Sequence, residues 1–113
     1  MLHRFTSLQG DGAIPYAGLT FDSAGNLYGT TVGGGDLACA EGGGGGCGVV
    51  FKLTPTSSGW SETLLHSFSG SYGAYPIAPV TFDGAGNLYG TTGRPVTTPG
   101  GTTTYGLVFE ITP

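Results

Sequence analysis

Thr20-Phe21-Asp22-Ser23-Ala24-Gly25-Asn26-Leu27-Tyr28-Gly29-Thr30-Thr31 returns 61 residues later as Thr81-Phe82-Asp83-Gly84-Ala85-Gly86-Asn87-Leu88-Tyr89-Gly90-Thr91-Thr92, differing only at Ser23 and Gly84. One unit is used twice. A period near sixty places the chain among solenoids, propellers and arrays, whose units hide apolar faces against their neighbours. Working outward, Leu2-His3-Arg4-Phe5 matches Leu65-His66-Ser67-Phe68 at an offset of 63, and Gly48-Val49-Val50-Phe51 matches Gly106-Leu107-Val108-Phe109 at 58. Length changes therefore fall only in the connections between these blocks.

Short runs bounded by Gly, Pro, Asp or Ser predict strands A (17–22 and 78–83), B (26–31 and 87–92), C (49–54 and 107–112) and D (63–68), with a further D-type strand at 2–5. Nothing helical of useful length appears. Asp22-Ser23-Ala24-Gly25 reads as a type I turn closed by a left-handed glycine, and local Asx bonding explains its aspartate better than a calcium cage, which needs six or more oxygens. Alternation puts Leu19 and Phe21 on one face of A, and Val49, Phe51 and Leu53 opposite Val50 and Lys52 on C. Strand D divides into Leu64, His66 and Phe68 against Leu65. Apolar residues on both faces suit a sheet lying between two others. The expected architecture is all-β and β-propeller-like, with two four-stranded antiparallel blades in one repeat domain over 1–113. Repeat 1 covers about 16–68 and repeat 2 about 77–113, with 1–5 available as a closing strand.

The chain has 113 residues, 24 of them glycine, yet 38% are hydrophobic and 12% aromatic, enough to bury once the two units are combined. Seven acids face only Arg4, Lys52 and Arg94, a formal charge of −4. Three cations cannot neutralise a phosphate backbone, which excludes nucleic acid as a partner. No apolar run is long enough to insert in a membrane, and the first residues carry no signal core.

In a four-stranded meander the variable D–A and B–C connections emerge on one rim, where a rigid scaffold usually places its binding residues. Asp11, Asp36, Glu41, Tyr72, Tyr75, Arg94 and Tyr105 fall there and are the candidate binding residues, able to stack on and hydrogen-bond a sugar or peptide. Cys39 and Cys47 flank a glycine run without further soft ligands, which favours a disulfide over zinc, with free thiols as the alternative. His3 and His66 occupy one place in two copies, the mark of a shared packing role rather than of catalysis. No catalytic, cofactor or metal set emerges, and the glycine runs lack the Lys-Ser/Thr of a phosphate loop.

Leu-His-Ser-Phe, Asn-Leu-Tyr-Gly-Thr-Thr and Gly-Val-Val-Phe-Lys-Leu-Thr-Pro, in order and over nearly the whole chain, resemble the GloVer tandem repeat, a bacterial repeat of large secreted or surface proteins. The resemblance implies a β-propeller-like fold and an extracellular or cell-surface location, and it brings no catalytic residue. It leads to a non-enzymatic scaffold or recognition module without cofactors, whose partners are neighbouring repeats or copies of itself, and carbohydrate or protein. Two blades do not close a ring, so the chain is expected to be a segment of a longer array, or else to assemble with copies of itself. A lectin-like glycan-binding module that oligomerises and a propeller hydrolase or lyase are the rivals.

Overall fold

A computed structural model describes residues 1–39, 45–69, 75–93, 96–97, 100–101, 103–104 and 106–112. They form eleven strands and no helix. In chain order these are β1 (Gly12–Ala13), β2 (Thr20–Phe21), β3 (Leu27–Thr31), β4 (Gly33–Gly34), β5 (Val49–Thr56), β6 (Gly59–Ser67), β7 (Thr81–Phe82), β8 (Leu88–Thr91), β9 (Val96–Thr97), β10 (Thr103–Thr104) and β11 (Val108–Ile111). The repeats become two antiparallel sheets, β2-β3-β5-β6 and β7-β8-β11, with β1-β4 and β9-β10 as small separate ladders. The described residues close neither a barrel nor a propeller.

The A and B strands are joined as the turn chemistry requires. Asp22 Oδ1 accepts Ala24 N and Asn26 N, both at 2.9 Å, and Gly25 takes the left-handed conformation at φ 89°. Asp83 repeats both bonds, with Gly86 at the same φ. Paired strand A is only two residues long in each copy, against the six expected. Pro15 and Pro79 near its start have no amide hydrogen to give a ladder.

Strand D departs from simple alternation. A bulge opposite Val50 and Phe51 pairs them with His66 and Leu64, so Leu65 is the extra residue. The slip turns Leu65 and Phe68 into the core, while Leu64 and His66 are exposed.

The central strand β5 is buried on both faces: Val49 and Val50 each have no exposed surface. On one face Leu27, Val49, Phe51 and Leu53 form a cluster capped by Phe5 and Trp60. On the other, Tyr28, Val50 and Phe68 pack against Val80, Leu88, Phe82, Phe109 and Ile111 of the second sheet. Burying each such side chain stabilises by about 1.5–3 kcal/mol, more than either unit could gather alone.

Two aromatic contacts register the sheets. The Tyr28 and Phe82 rings meet edge to face at 4.8 Å, and those of Phe68 and Phe109 at 5.3 Å. Thr20 Oγ1 adds a hydrogen bond to the Val80 carbonyl at 2.6 Å. Among the described residues, 2–5 pair with no strand. Instead the Phe5 ring stands on Phe51 at 5.0 Å and 63°, nearly the 64° of Phe68 on Phe109. The segment thus occupies, beside the first sheet, the place that the end of β6 occupies beside the second.

Candidate functional site

The repeated hairpin is a closed polar unit. Asp22 Oδ2 accepts the Asn26 side-chain amide at 2.8 Å and the Tyr28 hydroxyl at 3.0 Å; Asp83 does the same with Asn87 and Tyr89 at 3.1 and 2.9 Å. Bonding from Asn26 and Tyr28 holds the Asp22 carboxyl down to about 2, and the Asn87 bonds hold Asp83 equally low. Burial, with the Asp22 carboxylate beside it, pushes the Tyr28 hydroxyl up to about 12. An open groove of about 510 Å³ lies between the two hairpins, lined in part by Phe21, Lys52 and Phe82. Its carboxylates are already committed to the hairpins, which leaves little polar capacity for a ligand.

Three of the predicted rim residues, Asp11, Asp36 and Tyr75, fall among the described residues, each in a different setting. Asp36 is exposed and caps the turn before Cys39, accepting Ala38 N at 3.0 Å. Tyr75 is 3% exposed, packed with Cys39, Cys47 and Val80 between the sheets, where it has almost no surface to offer a ligand. Its amide donates to the Cys47 carbonyl at 2.9 Å, and its own carbonyl accepts Gly93 N at 3.0 Å. Ile14 repeats this last contact with Val32 N, and both residues hold the left-handed backbone, φ 60° and 62°. Glu41, Tyr72, Arg94 and Tyr105 lie outside the described residues. Cys39 and Cys47 form a disulfide with Cα atoms 5.8 Å apart.

Asp11 belongs to a cluster. Its carboxylate accepts Thr6 N at 2.9 Å, Gly12 N at 2.8 Å and His3 Nε2 at 3.3 Å. Glu62, on β6, brings Oε2 to 3.1 Å from the same His3 nitrogen, yet that oxygen is buried without a hydrogen bond of its own. When His3 Nε2 carries a proton, its hydrogen bond goes to Asp11. Burial raises the Glu62 carboxyl to about 7, with the Asp11 charge adding to it; Asp11 itself is lowered, because its hydrogen bonds outweigh its burial. Opposite shifts in two nearby carboxyls, the raised one buried, make Glu62 the one that keeps its proton. The ligand atoms of His3, Asp11 and Glu62 lie within 4.8 Å of one another, close enough for a cation as well as for this proton.

A Glu62 carboxyl raised in the folded chain stabilises fully below its unfolded value of 4.5, and that contribution disappears as the pH climbs through about 7. Thermal midpoints should therefore fall between pH 5 and 8. Glu62→Gln, which keeps the shape and cannot ionise, should flatten the slope; an unchanged slope would place the titration elsewhere.

Sequence reasoning gave Asp11 a rim position but missed its partners, because His3 and Glu62 are 59 residues apart. The Tyr28 and Tyr89 hydroxyl bonds were missed, although an aspartate six residues earlier in both copies was the available signal.

Comparison with protein-family models, curated proteins and solved structures finds no match to this chain. Among the described residues no helix is long and apolar enough to cross a membrane, and the disulfide is compatible with an extracellular protein.

What remains distinctive is an unequal joint. Val50 has no exposed surface, whereas its repeat mate Val108 is 75% exposed; Val80 is 2% exposed and its mate Leu19 52%. Identical places in the unit differ because one side of each is covered within the chain and the other is not.

Proposed function

We propose that this chain is a non-enzymatic segment of an extracellular β-propeller-like repeat protein of GloVer type, acting as a scaffold or recognition module for carbohydrate or protein. The observation that carries the proposal is the joint: the first sheet turns Tyr28 and Val50 toward the next unit, and the second turns Val80, Phe109 and Ile111 back toward it. Such a joint has a direction and can be continued from either open side. The enzymatic rivals have less in their favour, since the Asp11 carboxylate is already committed to Thr6 N, Gly12 N and His3.

A chain lengthened by a further copy of residues 56–113 after Pro113 tests it. In coupled repeats the added interface raises both the denaturant midpoint and its m-value in a single transition. An unchanged midpoint would mean that the units are independent domains, and the scaffold proposal would fail.

A further inference from the structure

The uncovered side of the second sheet is one of two open surfaces. Pro79, Thr81, Tyr89, Gly90 and Val108 line a shallow apolar depression of about 260 Å³ on it. Its repeat mates on the first sheet are covered inside the chain, so the molecule carries its own template for what fits there.

We propose that this depression docks the first sheet of a second copy of this chain, head to tail, through that copy's residues 2–5 and its Leu19 and Phe21. This rests on the repeat-scaffold proposal above and names the partner of its open side.

Each contact has an internal precedent. Tyr28 receives the edge-on Phe82 ring, and Tyr89 would receive Phe21, the repeat mate of Phe82, which is 65% exposed. Thr20 Oγ1 donates to the Val80 carbonyl; Thr81 Oγ1 would donate to the second copy's Leu19 carbonyl. Val50 is covered by the second sheet, and Val108 would be covered in the same way. Residues 2–5 add an edge contact. They already lie on the first sheet as the end of β6 lies on the second, with Phe5 on Phe51. In a docked pair that segment would come beside β11, which among the described residues pairs with β8 alone. Unpaired strand edges are ready templates for another chain.

Because the two surfaces differ, the contact is heterologous, and this separates it from self-complementary dimers. Val108→Asp and Leu19→Asp each place a charge on one surface only, at exposed positions outside the cluster that joins the two sheets. The 113-residue chain should show concentration-dependent mass by sedimentation. Each variant, with an unchanged circular dichroism spectrum, should be monomeric alone, and an equimolar mixture should give a dimer, since one intact surface of each kind remains. A monomeric unsubstituted chain at millimolar concentration, a variant that still associates alone, or a mixture that stays monomeric would each overturn the docking. None of these results touches the lengthened-chain measurement, whose failure would instead remove the repeat scaffold itself.

Discussion

Replacing Gly29 with alanine should destabilise the chain by about 1–3 kcal/mol, and Phe51→Ala by about 3–5 kcal/mol. Glycine inside a strand normally weakens it, so its place in both copies of Leu-Tyr-Gly-Thr-Thr calls for a packing cause. Gly29 pairs directly with Phe51, and Gly90 with Phe109. A Cβ on Gly29 would stand 2.7 Å from Phe51 Cζ and 2.8 Å from Leu19 Cδ2, and one on Gly90 would run into the Phe109 ring. The ring lies down across the glycine, which frees its outer edge to meet Phe5 or Phe68 of the neighbouring segment. Alanine would lift the ring and disturb the joint as well as the sheet. The two substitutions should not add: in the Gly29→Ala, Phe51→Ala chain the new methyl meets no ring and only the movable end of Leu19, so its extra cost beyond Phe51→Ala should be smaller than that of Gly29→Ala alone. Urea midpoints of the four chains decide this, and full additivity would show that Gly29 has another role.

The same residues mark how far the sequence could be read. The doubled hairpin and the C-strand block were legible because they are local: an Asx turn needs only four residues, and alternation needs only one strand. The bulge at Leu65 was not legible, since an inserted residue is defined by the partner strand that it fails to match. Tyr75 looked like a rim residue because it lies in a connection of variable length, yet backbone bonds to Cys47 and Gly93 draw it inward. The His3, Asp11 and Glu62 cluster depends on residues 1–12 folding back on β6, which only the tertiary structure reveals.

Removing the Cys39–Cys47 disulfide should cost about 2–3 kcal/mol, by the entropy of leaving an eight-residue separation open in the unfolded chain. The loss should not stay in the loop. Cys47 is fully buried and Cys39 nearly so, both in the cluster that holds Tyr75, Val80 and Leu88 between the sheets. Cys47 also accepts the Tyr75 amide, and Gly46 bridges to Gly34, which pairs through β4 with β1. The bond thus sits where backbone from both repeats meets. The Cys39→Ser, Cys47→Ser chain puts two hydroxyls into an apolar cluster, so Cys39→Ala, Cys47→Ala is the cleaner comparison. In that chain Tyr75 and Val80 should become more accessible, and amide exchange should quicken at Tyr75 and Gly93 before it does in β3 and β5. Uniform quickening across all strands would assign the disulfide to general stability and remove it from the joint.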